Sequence, residues 1–315
     1  MVSVQRLFIV ILLLPILVSC ERDLEFELRA GQPNLVVNSL FGQDSLFQIE
    51  ISTTADLGQG NALTSLSDAA ITLTEDGIAI SDFVLDSSSA LPWYPLEADR
   101  TIEQTFYFYR TAFSRVRAGR EYKIEVAYPG YETAEATATV PRAARLTFEP
   151  ERGVTNLLLE GRDLMEVRFS IVDDGHPHYY AIELVSVLGD AANEEKIEFY
   201  SFETAFSPNL VDAGNVSGEG VWYYTDEGVY FSNAQFMGVE KEFSIFVDSD
   251  RLVGKDDLQL RIVSLSEEFF EFARSYQQQQ LNAGNPFAEP VPVYSNVENG
   301  LGIFAGFAVS EVKLN

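Results

Sequence analysis

From Gln32 onward, short apolar runs alternate with clusters of Gly, Pro, Asn and Asp, and this pattern is typical of an all-β protein. In one such run Tyr122, Ile124 and Val126 are separated by single polar residues, so one face of that strand is predicted to be buried. The first half of the chain predicts strands at 35–40, 47–52, 70–75, 78–85, 105–110, 122–128 and 132–140. Seven short strands in about 110 residues are typical of an immunoglobulin-like β-sandwich.

A second β region follows a short connector at 142–152. The expected strands lie at 166–172, 179–187, 196–203, 228–232, 242–248, 258–265 and 300–309. A single helix is predicted near residues 265–281, because Ser264 and Glu267 form a capping-box pattern ahead of apolar residues at helical spacing. The fold prediction is therefore all-β, with an N-terminal immunoglobulin-like β-sandwich followed by a second antiparallel β domain that carries one helix.

The first twenty residues indicate export. An apolar run over residues 7–18 follows Arg6, and as a helix it would span about 18 Å, short of the roughly 30 Å of hydrocarbon in a bilayer. This is typical of a signal peptide rather than of a membrane anchor. The last four of these residues, Leu-Val-Ser-Cys, resemble a bacterial lipobox, in which cleavage precedes the cysteine and the thiol is acylated. We therefore predict lipidation of Cys20, the only cysteine of the chain, which would anchor the protein in a lipid bilayer.

Together these patterns divide the chain into four segments. Residues 1–19 form the lipoprotein signal peptide and residues 20–32 an acidic tether. The N-terminal β-sandwich is expected over residues 33–142, and the C-terminal β domain with its helix over residues 143–315.

Charge and composition remove several classes of function. The chain has 48 acidic and 21 basic residues and a formal net charge of −27, which repels phosphate backbones, so no nucleic-acid partner is expected. One cysteine excludes an internal disulfide and a thiolate metal cluster. With only two histidines, the chain has few imidazole groups for a metal site or for acid–base catalysis. We expect no cofactor and no catalytic residues.

Histidines and carboxylates occur together at one place, in Asp173, Asp174, His176 and His178. These four side chains are weak candidates for a zinc or other divalent-metal site. The favoured interpretation is a polar turn between two strands, because Pro177 between the histidines suits a turn and no third imidazole exists. With 48 acidic residues, paired carboxylates elsewhere carry no information about hydrolysis.

Adjacent aromatic residues are the candidates for ligand binding. Trp93 with Tyr94, and Trp222 with Tyr223, stand in less regular sequence, and alternation along a strand sends neighbouring rings to opposite faces. Exposed rings of this kind stack on a carbohydrate or bind a peptide or protein partner. The alternative is that these residues fill the core, since aromatic residues are favoured in strands.

Several blocks of the chain resemble one known family: 33–40, 119–122, 179–180, 266–270, 285–290 and 295–304. Together they are similar to the Bacteroidota lipoprotein family catalogued as domain of unknown function 4249, over the whole mature chain, with the last block the most specific. The acidic cluster after Cys20 resembles the surface-export signature of lipoproteins in this phylum, although an ordinary solvated linker has the same composition. The triplet Asp44-Ser45-Leu46 resembles the O-glycosylation pattern of exported proteins in the phylum, which makes Ser45 a candidate site.

The resemblance implies an outer-membrane lipoprotein exposed at the cell surface, and it carries over no catalytic residues. The resulting hypothesis is a non-enzymatic surface lipoprotein that binds a ligand for, or docks onto, a TonB-dependent outer-membrane transporter. One alternative is a carboxylate- or metal-dependent hydrolase. A further alternative is a structural or adhesive surface protein.

Overall fold

β-Strands form most of the part of the chain that the structure describes. The computed structural model describes residues 33–54, 64–88, 105–147, 153–159, 162–187, 194–201, 203, 206, 223–225, 229–255, 257–282, 289 and 291–314. These residues contain twenty strands and one α-helix, so the prediction of an all-β fold with a single helix is confirmed. Within them, no helix has the length and apolar character needed to cross a membrane.

The largest sheet has ten strands and runs through both halves of the chain. Its path is β14 (Glu194–Lys196), β13 (Tyr179–Val187), β19 (Leu258–Leu265), β20 (Leu301–Leu314), β1 (Leu35–Gly42), β2 (Leu46–Thr53), β7 (Phe106–Arg115) and β6 (Phe83–Ser88). In addition, β17 (Val229–Ser232) pairs with β13, and β3 (Thr64–Ser65) pairs with β2. The pair β1–β20 is parallel, with Val37 opposite Gly302, and its neighbours on either side are antiparallel.

Two smaller sheets pack against this one. The six-stranded sheet contains β10 (Arg145–Thr147), β12 (Arg162–Val172), β18 (Glu240–Asp248), β15 (Phe199–Ser201) and β16 (Tyr223–Thr225), with β11 (Gly153–Leu159) beside β12. The four-stranded sheet contains β5 (Ile78–Ile80), β4 (Ala70–Glu75), β8 (Glu121–Ala127) and β9 (Ala134–Thr139). The helix α1 is Glu267–Asn282, and two short 3-10 helices are Asn233–Gln235 and Ser249–Leu252.

Alternation along the strands builds two large apolar cores. The first core lies between the four-stranded sheet and strands β1 and β2, and alternate residues such as Leu35 and Val37 point into it. The second core joins the six-stranded sheet to β13 and β19. A small third cluster seats Phe270 of α1 on β13 and β19. Strand β20 contributes to both large cores, through Phe304 to the first and Leu314 to the second.

The division into domains at 33–142 and 143–315 stays a prediction. The structure adds that strands from both segments share the ten-stranded sheet. It also places Val297 and Phe304, which follow residue 142 by a long stretch of chain, in the first core.

Four local predictions were wrong. The strand expected at 196–203 is divided between β14 and β15, which lie in different sheets. The strand expected at 78–85 is two strands in different sheets, β5 and β6, because the chain turns at Asp82, whose carboxylate accepts hydrogen bonds from Phe113 and Ser114. The connector at 142–152 contains β10, which pairs with the end of β12. Helix α1 is capped by Ser266, whose Oγ accepts from Phe269 N at 3.3 Å, while Ser264 lies inside strand β19.

Candidate functional site

The structure describes only some of the residues that the sequence nominates. Four candidates lie outside the described residues: Cys20, Trp93, Tyr94 and Trp222. Tyr223 opens β16, and its side chain is not among those described. Ser45 lies in the turn between β1 and β2, where its hydroxyl donates to Gly42 O at 2.7 Å. Glycosylation of Ser45, which stays a prediction, would replace that hydrogen bond.

The loop between β12 and β13 brings Asp173, Asp174, His176 and His178 together. The carboxylate of Asp173 is buried, with 8% of the residue exposed. Its Oδ1 accepts hydrogen bonds from Gly175 N at 2.9 Å and from Gly238 N at 2.5 Å. Both carboxylate oxygens are occupied, because Oδ2 accepts from the Asn233 side chain.

Asn233, at the start of a 3-10 helix, holds this loop from across the fold. Its Nδ2 donates to Asp173 Oδ2 at 2.6 Å and to His176 O at 2.5 Å. Its Oδ1 accepts from His178 N at 2.9 Å, and its own N donates to His178 O at 3.0 Å. Sequence reasoning missed Asn233, because nothing near that residue indicates a partner in a loop so far upstream.

The pKa values of the two carboxyl groups of the loop are lowered. Burial acts to raise the pKa of Asp173, but the hydrogen bonds from Gly238, Asn233 and Gly175 outweigh it, and the pKa lies below its usual value. The pKa of Asp174 is lowered chiefly by the hydrogen bond with His178, whose Nε2 lies 2.7 Å from Asp174 Oδ1. Both carboxylates are therefore ionised at neutral pH.

The hydrogen bonds of this loop limit its ability to bind a metal ion. Ligand atoms of Asp173, Asp174 and His178 lie within 4.8 Å of one another, which is a spacing that a metal ion can bridge. His176 is exposed and lies outside this group. To bind a metal, Asp173 would give up hydrogen bonds that hold the loop in place. The geometry therefore favours the polar turn over the metal centre.

A second buried carboxyl, which the sequence did not nominate, lies on β2. Glu50 is only 2% exposed and points away from the first core, into which its neighbours Ile49 and Ile51 project. Its Oε2 accepts from Asn38 Nδ2 at 3.0 Å, and its Oε1 has no hydrogen-bond partner among the described residues. Burial raises the pKa of Glu50, and the hydrogen bond from Asn38 offsets only part of this effect.

Replacing this carboxyl is expected to stabilise the protein. Glu50→Gln keeps an acceptor for Asn38 and removes a buried charge, so the free energy of unfolding at neutral pH should rise by about 1–2 kcal/mol. Because the pKa of Glu50 in the folded state lies above its ordinary value of 4.5, the carboxyl contributes stability below that pH. This contribution is lost as the pH rises through the folded-state pKa.

Urea unfolding near pH 4 and near pH 7 measures the difference. The gain in the free energy of unfolding from Glu50→Gln should be small near pH 4 and should reach its full size near pH 7. Glu132→Gln, at an exposed position, should give no such gain at either pH. A Glu50→Gln protein less stable than the parent at neutral pH would contradict a carboxyl that is disfavoured in its charged form.

Comparison with known proteins identifies the family of this chain. A family model described as "Domain of unknown function (DUF4249)" matches residues 21–313. No curated protein matches the chain. Among solved structures, a DUF4785 family protein from Legionella pneumophila subsp. pneumophila matches with a TM-score of 0.21 and 8% identity over 73% of this chain. The match spans 52% of that protein, about half its length.

Proposed function

We propose, from the premise that this chain belongs to the DUF4249 family, that it is a non-enzymatic lipoprotein of the bacterial outer membrane. In this proposal it is exposed at the cell surface and serves as a ligand-binding or docking partner of a TonB-dependent transporter. The lipid anchor would hold it in the same membrane as the transporter, so the two proteins would meet by diffusion in two dimensions.

The observation that carries this proposal is the position of Cys20. The only cysteine of the chain follows an apolar run of twelve residues, over 7–18, and ends a lipobox-like sequence. Acyl chains contribute about 0.8 kcal/mol per buried methylene, so two or three of them give durable attachment to a bilayer. The acidic residues that follow the cysteine support exposure at the surface.

The internal bonding of the Asp173–His178 loop supports a non-enzymatic role. This loop contains both histidines of the chain, and its groups bind one another and Asn233. A general base or a metal ligand needs a free lone pair directed at a substrate or an ion. In the structure, the lone pairs of Asp173 are directed at Gly175 N within the loop and at donors of Gly238 and Asn233 from a distant segment.

Purification in native detergent from the source membrane tests the proposal. Full-length protein with a C-terminal tag should recover a β-barrel receptor in stoichiometric amount, identified by mass spectrometry, and protease added to intact cells should degrade it. A Cys20→Ala variant should lose both the membrane attachment and the receptor. A parent protein that is recovered alone and resists protease in intact cells would contradict the proposal.

A hydrolase is the second candidate, and the proximity of ligand atoms in Asp173, Asp174 and His178 is the observation that favours it. It predicts that stoichiometric zinc raises the melting temperature of the purified protein and that His178→Ala removes this effect. The polar-turn interpretation predicts no change with zinc.

A further inference from the structure

Strand β7 displays an exposed phenylalanine on a bulge. Arg110 and Arg115 of β7 pair with Gln48 and Leu46 of β2, so residues 111–114 stand opposite a single residue of the partner strand. Such a bulge redirects side chains out of the sheet. Phe113, at its outer part, is 77% exposed.

Hydrogen bonds to Asp82 and Thr111 hold the bulge in one conformation. Asp82 Oδ2 accepts from Phe113 N and Ser114 N, both at 2.8 Å, and Oδ1 accepts from Ser114 Oγ at 2.6 Å. Thr111 Oγ1 donates to Ser114 O at 2.7 Å and accepts from Phe47 N at 3.0 Å. Desolvation acts to raise the pKa of Asp82, but the hydrogen bonds outweigh it and lower that pKa to about 2. The carboxylate is therefore ionised at neutral pH, and its hydrogen bonds hold the backbone at Phe113 in place.

An arginine that makes no ion pair with any described residue follows Phe113 by two positions in the chain. The other arginines of residues 105–120 each pair with a carboxylate: Arg110 with Asp86, Arg117 with Glu75 and Arg120 with Asp76. Arg115 donates to the backbone oxygen of Asp44 at 2.5 Å and makes no ion pair with any residue that the structure describes. Its charge is therefore available to a partner, two residues from Phe113 along the same strand.

The bulge lies at the far end of strand β1 from the point where the chain enters that strand. The chain enters β1 at Leu35, and eight residues at about 3.3 Å each carry it roughly 26 Å to Gly42. The bulge lies beside this far end, where Asp44 N donates to Val116 O at 2.8 Å. The ring is therefore displayed at the opposite end of β1 from Leu35. An exposed aromatic ring and a guanidinium without an ion pair favour a protein partner that supplies a carboxylate.

We propose that Phe113 and Arg115 form a docking surface for a partner protein that offers an apolar pocket to the ring and a carboxylate to the guanidinium. Aromatic residues and arginine dominate the energetics of protein interfaces, and a residue whose backbone is already held in place loses less conformational entropy on binding. The carboxylate is the group that complements an unpaired guanidinium. The identity of the partner as the transporter rests on the proposed function, whereas the docking surface itself does not.

Two substitutions and a matched control test the surface in the full-length, lipidated protein. Phe113→Ala should lower the amount of receptor recovered in native detergent by about tenfold or more, and Arg115→Ala by several-fold. Val253→Ala is the control, because Val253 is 78% exposed in the turn after the second 3-10 helix, away from β7. All three variants should melt within a few degrees of the parent, since exposed side chains contribute little to stability.

The outcomes separate the docking surface from the proposed function. Equal recovery with the parent and with Phe113→Ala overturns the docking surface and leaves the proposed function standing. If the parent itself recovers no receptor, the proposed function fails. Photocrosslinking in intact cells with Phe113→p-benzoylphenylalanine then decides about the surface.

In that experiment, a crosslinked peptide from one identified protein, with an acidic residue beside apolar ones, supports the docking surface. Crosslinks to lipid, to a second copy of this chain or to nothing overturn it. Attachment to lipid would indicate that the bulge faces the membrane.

Discussion

Gly302→Ala is expected to abolish stable folding. Gly302 has a φ of +110°, and an added Cβ would lie 2.2 Å from the carbonyl oxygen of Val37 and 2.8 Å from Asn38 Oδ1. Val37 is the residue opposite Gly302 in the parallel pair of β1 and β20, so the clash would push these two strands apart. Since β20 contributes to both large cores, we expect a loss of about 4 kcal/mol or more in the free energy of unfolding.

Urea unfolding followed by circular dichroism measures this loss, with Gly254→Ala as the matched control. Gly254 also has a positive φ, +77°, but an added Cβ there would meet nothing within 4 Å. That variant should lose only about 1–2 kcal/mol, the cost of a left-handed backbone for a residue with a side chain. Equal losses in the two variants would show that position 302 requires glycine because of backbone strain and not because of the contact with Val37.

Asn233→Ala is expected to cost about 3 kcal/mol in the free energy of unfolding. The side chain is buried and takes part in hydrogen bonds with Asp173, His176 and His178. Its removal leaves a buried carboxylate oxygen and two backbone groups without their partner, and such groups each cost about 1–3 kcal/mol when water cannot reach them. The loop from β12 to β13 would then open before the rest of the fold.

The same unfolding measurement tests this loss, with Asn282→Ala as the control. Among the described residues, the side chain of Asn282 makes one long hydrogen bond, to Glu289 O at 3.5 Å, so its loss should change stability by no more than about 0.5 kcal/mol. Hydrogen exchange of the His178 amide should accelerate in Asn233→Ala alone. A variant as stable as the parent would mean that Asp173 does not depend on Asn233, and the metal-site alternative would gain support.

Much of the strand content could be predicted because it depends on local pattern. The alternation of Tyr122, Ile124 and Val126 predicts a strand with one buried face, and β8 has that face in the first core. The helix near 265–281 is observed as Glu267–Asn282. Its cap was misassigned because Ser264 and Ser266 both fit a cap by type, and only the pairing of β19 with β20 shows which serine lies in a strand.

The candidate site was predictable in its residue types and not in its bonding. Crowding of Asp173, Asp174 and His178 is visible in the sequence, and the structure keeps them together. Whether they hold a metal or one another depends on Asn233 and Gly238, which reach the loop from a distant segment. Alternation around Glu50 likewise predicts a face turned away from Ile49 and Ile51, but it does not predict that this face is covered.

By itself, the sequence determined the acidic charge, the all-β class and the positions of most strands. These follow from composition, from turn-forming residues and from a side-chain period of two, all of which act over a few neighbouring residues. The tertiary structure alone decided that β1 lies beside β20, that Asn233 locks the Asp173 loop, and that the carboxylate of Asp82 holds Phe113 out of the sheet. These contacts join residues far apart in the chain, and a local sequence pattern does not identify the partner of a strand, of Asn233 or of Asp82, so only packing of the whole fold selects the partners.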